Sequence, residues 1–61
     1  IWLHKNCWDY GFVVRYQEGK EAITGYAAEV WHIRYVGIQH STVMRDKNWC
    51  LEEYLQAMGQ L

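Results

Sequence analysis

The sequence of 61 residues lacks several features that would place it in common functional classes. It has no apolar run near the roughly 20 residues that a membrane-spanning helix needs, and no segment resembles a signal peptide. Its formal net charge is −1, so it has no basic excess of the kind that nucleic-acid-binding domains carry. We therefore expect no transmembrane segment in this chain and no nucleic-acid partner.

Cysteine is scarce. Cys7 and Cys50 are far apart in the chain and form no Cys-x-x-Cys pair, which argues against a structural zinc knuckle. We expect both to be small, buried, reduced thiols rather than the two halves of a disulfide.

Apolar and aromatic residues are plentiful, with four Trp and five Tyr, so the composition is not that of a disordered chain. A chain of this length forms one domain and buries only roughly 60% of its unfolded surface. A metal ion, a disulfide or a partner is therefore expected to support the fold.

Hydrophobic periodicity predicts an α+β fold: a small antiparallel sheet packed against an N-terminal helix and one or two C-terminal helices. We expect the N-terminal helix over 2–10, ending at Gly11, with one face formed by Leu3, Cys7 and Tyr10. Strands are predicted near 12–16 and 30–36, separated by a polar loop over 17–21. A weakly patterned helix over 38–47 and an amphipathic closing helix complete the chain; the apolar positions of the closing helix are Leu51, Tyr54, Leu55 and Met58.

The second predicted strand carries the residues that suggest chemistry. Alternation places Trp31, Ile33 and Tyr35 on one face, predicted to be the core face. The opposite, polar face carries His32 and Arg34. A regular strand would point Glu29 away from His32, so the two side chains converge only if the strand bends or bulges near Glu29.

Two motifs of this strand are the most specific in the sequence, Glu29-Val30-Trp31-His32 and Arg34-Tyr35-Val36-Gly37. They are supported by Ile23-Thr24-Gly25-Tyr26 before them and by Leu51-Glu52-Glu53-Tyr54-Leu55 after them. Together these segments resemble the C-terminal part of VanY-like D-alanyl-D-alanine carboxypeptidases, zinc peptidases that trim peptidoglycan stem peptides. The resemblance covers nearly the whole chain and implies that residues 1–61 are an incomplete portion of a larger catalytic domain.

The resemblance implies roles for two residues. The family's glutamate is the general base that activates a zinc-bound water, and its histidine three residues later is a zinc ligand; these positions are Glu29 and His32. The implied cofactor is zinc, the implied partner is a stem peptide ending in D-Ala-D-Ala, and the implied location is the cell envelope or the exterior of a bacterium.

The chain departs from the family pattern. The family usually has proline where this chain has Val30, often has proline where it has Gln17, and usually has an aromatic residue where it has Ala28. The family's Ser-x-His-x-x-Gly-type motif, which supplies a further His and Asp ligand, has no counterpart here. Since a catalytic zinc takes about three protein ligands, this chain alone is not expected to be a competent enzyme.

Two interpretations stay open. The chain is part of a longer peptidase whose N-terminal half holds the other ligands, or it is a self-associating or wall-binding remnant that lost the chemistry. A related L,D-peptidase or lysin specificity is also compatible with the motifs. In a homo-oligomer His4 or His40 would be candidate ligands. Arg15 and Arg34 are expected to pair with carboxylates or support the strands, and Tyr26 is a candidate for the edge of the cleft.

Overall fold

The computed structural model describes residues 2–59, the side chain of His4 excepted. It confirms the α+β class. The elements in order are α1 (Trp2–Asn6), a 3-10 helix (Cys7–Tyr10), β1 (Phe12–Tyr16), α2 (Glu21–Thr24), β2 (Glu29–Tyr35), α3 (Ile38–Lys47) and α4 (Leu51–Ala57). Within these residues, no helix combines the length and apolar character that crossing a membrane requires.

The N-terminal helix ends at Gly11, as predicted, but it changes from α to 3-10 geometry at Cys7. A 3-10 helix has about 3.0 residues per turn, so the change breaks the single apolar face expected from α-helical spacing. Cys7 is buried at 2% exposure, whereas Leu3 and Tyr10 are 45% and 58% exposed. The prediction that all three share a buried face is therefore wrong for Leu3 and Tyr10.

Gly11 joins this helix to the sheet. Its φ of +89° is left-handed, and a Cβ there would lie 2.9 Å from Cε1 of Tyr35 and 3.1 Å from the backbone nitrogen of Ile38. Its carbonyl accepts hydrogen bonds from the backbone N–H groups of Val36 and Gly37, at 2.8 and 3.0 Å. Only glycine fits this close approach between the start of β1 and the end of β2.

The two predicted strands pair antiparallel, as expected, and form a two-stranded sheet within the described residues. The segment predicted to be a polar loop is a turn followed by the short helix α2, which the prediction omits. The α3 prediction is confirmed, with Asn48 closing the helix at φ +54°. The closing helix is also confirmed, but it ends at Ala57 and leaves Met58 half exposed.

The core lies between β1 and the two C-terminal helices. Its buried members are Val13, Met44, Leu51 and Tyr54. Partly buried side chains that pack around them are Trp8, Val36, Val43, Trp49 and Leu55. Cys7 and Cys50 are buried free thiols, and burial raises the pKa of each, so both are protonated at neutral pH.

The expected core face of β2 is wrong. Trp31 is 71% exposed and Tyr35 is 65% exposed, while Ile33 is only partly buried. The helices cover β1 instead, where the consecutive residues Val13 and Val14 are both buried. Alternation correctly predicted the strand but could not predict which strand the helices would cover.

Candidate functional site

The site begins with an irregularity in the sheet. Phe12, Val13 and Val14 pair in regular register, with Val14 opposite Ile33, but the next pair is Tyr16 with Glu29. Over this step β1 advances by two residues, from 14 to 16, while β2 advances by four, from 33 to 29. The two additional residues of β2 form a bulge, which redirects side chains along that strand. The bulge forms with Val30 in place of the family's usual proline.

The bulge brings Glu29 and His32 together. Oε1 of Glu29 lies 3.2 Å from Nδ1 of His32, within hydrogen-bonding distance. The two side chains are 34% and 46% exposed respectively, so water reaches both. We expected Glu29 and His32 to converge only if the strand bulged, and the structure shows both the bulge and the convergence. A carboxylate and an imidazole are thus paired at a solvent-accessible position.

Two tyrosines adjoin this pair. The ring of Tyr16 lies 5.0 Å from the His32 ring, centroid to centroid, with the planes nearly perpendicular at 89°. The Tyr26 ring packs on Tyr16 in turn, with 4.7 Å between the ring centroids. Tyr26 is held in place by Thr24, whose hydroxyl donates to the Tyr26 carbonyl at 3.2 Å and accepts from the Tyr26 N–H at 3.1 Å. Gly25, at φ +79°, makes this turn possible.

The hairpin is fixed to α4 by ion pairs. Arg15 makes a two-pronged hydrogen bond to Glu52, with both N–O distances at 2.9 Å. Lys20 contacts Glu53 at 2.8 Å, and Glu53 also accepts a hydrogen bond from the Cys50 N–H at the start of α4. The expectation that Arg15 pairs with a carboxylate is confirmed.

These contacts lower the pKa of the two carboxyl groups in the first turn of α4. Burial raises the pKa of Glu52, but hydrogen bonds from Arg15 and from the Glu52 backbone outweigh burial and hold the pKa below its ordinary value. Hydrogen bonding by Lys20 and by the Cys50 backbone lowers the pKa of Glu53. Both groups are therefore anionic at neutral pH.

Of the remaining candidates, His40 and Arg34 border a separate groove, whereas Tyr26 packs on Tyr16 beside the pair. His40 forms a hydrogen bond through Nδ1 with the hydroxyl of Tyr54. Arg34 is exposed and borders an open groove of about 280 Å³ together with His40 and Tyr54. The His4 side chain lies outside the described part of the chain. Tyr26 is exposed beside Tyr16, at 59%.

The donor set fits part of a zinc site. His32 offers an imidazole nitrogen and Glu29 a carboxylate, whereas a catalytic zinc takes about three protein ligands and keeps one open position. Among residues 2–59, no group of three or more His, Cys, Asp or Glu side chains is arranged to hold a metal ion. The described residues thus supply one part of such a site.

Tyr16, Thr24 and Glu52 are missing from the site predicted by sequence. A regular continuation of the register would place Tyr16 opposite Trp31, and only the bulge places it opposite Glu29. The Thr-Gly-Tyr and Leu-Glu-Glu segments carry the signal, because both belong to the motif set that indicates the family.

Comparison with known proteins gives a consistent result. The family profile described as VanY, D-alanyl-D-alanine carboxypeptidase, matches residues 1–38. A D-alanyl-D-alanine carboxypeptidase of Enterococcus faecium is 54% identical over 59 residues, which is 97% of this chain and 20% of that protein. The chain therefore spans about a fifth of the length of this relative.

Solved structures share the fold. VanYB in complex with D-alanine-D-alanine matches with a TM-score of 0.86 and 47% identity, over 90% of this chain and 30% of that one. A zinc(II) complex of a variant of the vancomycin-resistance D,D-pentapeptidase VanY matches with a TM-score of 0.84 and 48% identity. The match covers 88% of this chain and 30% of that one. The LdcB LD-carboxypeptidase matches with a TM-score of 0.86 and 45% identity, over 90% of this chain and 26% of that one.

Proposed function

Since the chain belongs to the VanY family of D-alanyl-D-alanine carboxypeptidases, we propose that it forms part of the active site of a zinc-dependent enzyme of this type. The substrate would be a peptidoglycan stem peptide ending in D-Ala-D-Ala, at the cell envelope or outside the cell. Residues 1–61 would be the C-terminal part of the catalytic domain. The observation that carries the proposal is the 3.2 Å approach of Glu29 Oε1 to His32 Nδ1 on the bulged strand.

Glu29 is assigned the role of general base. Its carboxylate is partly exposed, so Oε1 and Oε2 can accept a proton from a water molecule that attacks the scissile carbonyl. The same carboxylate can then return that proton to the departing amine. Its hydrogen bond to Nδ1 also orients the imidazole of His32.

His32 is assigned the role of one zinc ligand through a ring nitrogen. Bound zinc lowers the pKa of water toward about 7 and polarises a peptide carbonyl. The other ligands would come from polypeptide outside this chain, which agrees with the small share of each relative that it spans. That a zinc(II) complex is known for a VanY at 48% identity supports the choice of metal.

The L,D-specific alternative rests on LdcB, whose TM-score of 0.86 equals that of VanYB. Both specificities therefore fit this part of the fold equally well. The non-catalytic remnant is the other alternative, because the described residues contribute only one imidazole and one carboxylate to the site.

The first test measures zinc binding by the chain itself. Zinc titration followed by NMR should shift the ring signals of His32 selectively, and His32→Ala should abolish the saturable response. Zinc binding that is stoichiometric and unaffected by His32→Ala would remove the ligand assignment.

The second test uses a chimera in which this chain replaces the matching segment of the E. faecium carboxypeptidase. Release of D-alanine from a stem pentapeptide should occur, and Glu29→Gln should lower kcat by about 10²- to 10⁴-fold while zinc content is retained. Glu18→Gln, at an exposed turn position, is the matched control and should leave kcat unchanged. A folded, zinc-loaded chimera without activity would favour the remnant, and preference for an L,D-tetrapeptide would favour the L,D-specific alternative.

A further inference from the structure

The His32 side chain is half exposed and hydrogen-bonded to Glu29. Its exposed fraction is 46%, and its hydrogen bond to Glu29 spans 3.2 Å. This hydrogen bond tethers Nδ1, but the half-exposed side chain can leave it by rotating about χ1 and χ2. A further contact on the ring would stabilise the rotamer in which the hydrogen bond forms.

Tyr16 provides that further contact. Its ring centroid lies 5.0 Å from that of His32 at an interplanar angle of 89°, the edge-to-face arrangement that aromatic pairs favour. The contact depends on the bulge, which sets Tyr16 opposite Glu29. Because the ring makes this contact, phenylalanine should replace tyrosine without loss, whereas an aliphatic side chain should not.

Tyr16 is itself restrained by two neighbours. The Tyr26 ring packs 4.7 Å from it, and the guanidinium carbon of Arg15 lies 4.7 Å from its centroid. Arg15 is in turn fixed by its two hydrogen bonds to Glu52 of α4. A continuous series of contacts thus connects the first turn of α4 to the imidazole of His32.

We propose that Tyr16 is a positioning residue that limits the imidazole of His32 to the orientation in which Nδ1 faces Glu29. The proposal deepens the proposed function and rests on it as far as the metal is concerned. Partners that orient a ligating histidine typically change metal affinity by about 10- to 100-fold when they are lost. Tyr16 would act in this way through ring packing.

The experiment compares Tyr16→Leu and Tyr16→Phe in the chain. NMR measures the χ1 couplings and ring ¹⁵N shifts of His32, and a zinc titration measures affinity. Tyr16→Leu should show averaged His32 couplings and about tenfold weaker zinc binding, whereas Tyr16→Phe should match the unsubstituted chain. Tyr35→Leu is the matched control, since Tyr35 makes a similar edge-to-face pair with Phe12 at 5.2 Å elsewhere in the same hairpin.

The two readouts separate the possible failures. A folded Tyr16→Leu chain with unchanged His32 couplings would overturn the positioning role, even if zinc still binds His32. Altered couplings in Tyr16→Leu would support positioning whether or not the isolated chain, which supplies only part of a zinc site, binds zinc. If Tyr16→Leu unfolds the isolated chain, the chimera replaces it: kcat should then fall in Tyr16→Leu and recover in Tyr16→Phe, with KM unchanged. Equal kcat values in the two variants would overturn the proposal.

Discussion

The buried side chains show how much depends on single residues in a chain of this size. Met44 is fully buried and belongs to the core cluster that also includes Val13 of β1 and two residues of α4. The only other methionine, Met58, follows the last helical residue of α4 and is 50% exposed. The same substitution can therefore be compared at a buried methionine and at an exposed one.

We expect Met44→Ala to lower the free energy of unfolding by about 2–5 kcal/mol, because it leaves a cavity as well as removing apolar contacts. A domain of this length has little stability in excess, so much of the population should unfold at 25 °C. Met58→Ala should change the unfolding free energy by less than about 0.5 kcal/mol. Urea denaturation followed by circular dichroism measures both. Equal effects of the two substitutions would contradict the assignment of the core.

At the scale of elements, ion pairs add to the apolar packing that joins the hairpin to α4. Arg15 and Lys20, before and after the turn that follows β1, contact the consecutive residues Glu52 and Glu53. Glu53 also accepts the Cys50 N–H, so one carboxylate caps the helix and holds the turn. A negative charge in the first turn of a helix is favourable in its own right.

The two carboxylates of α4 lead us to expect that the folded state loses stability in acid. The folded pKa of each lies below the ordinary value of 4.5, so their contribution is complete above pH 4.5 and is lost as the pH falls through the folded pKa. We expect the free energy of unfolding to fall below pH 4.5 in urea titrations from pH 7 to 3. The double variant Glu52→Gln, Glu53→Gln should lose most of this dependence, while Glu21→Gln, on an exposed position of α2, should retain it. An unchanged acid slope in the double variant would contradict the role of these pairs.

The elements could be predicted because their signals are local. Glycines and residue periodicity indicated β1, α3 and α4 with bounds close to those observed, and the requirement for a bulge followed from the spacing of Glu29 and His32. The burial of β2 could not be predicted, because it depends on which strand the helices cover. The contact of Tyr16 with His32 was missed for the same reason, since it joins distant segments through an irregular register.

At the scale of the whole molecule, β2 leaves large apolar side chains exposed. Trp31 is 71% exposed, Tyr35 65% and Val30 43%. Large exposed apolar patches mark surfaces that contact another polypeptide. Relatives about five times as long have further polypeptide that could cover such a surface. In a solution of residues 1–61 only, the available partner is a second copy.

We therefore expect the isolated chain to self-associate through β2 at high concentration, with Trp31 near the centre of the contact. Trp31→Lys should weaken the association by about tenfold or more, since central tryptophans commonly contribute at least 2 kcal/mol to interfaces. Met58→Lys, at an exposed position beyond α4, is the matched control and should leave it unchanged. Sedimentation velocity over a range of concentrations measures the association. A monomer at every concentration, or equal association constants for the two variants, would show that this face does not mediate contact between copies and would favour the remainder of a longer domain as its cover.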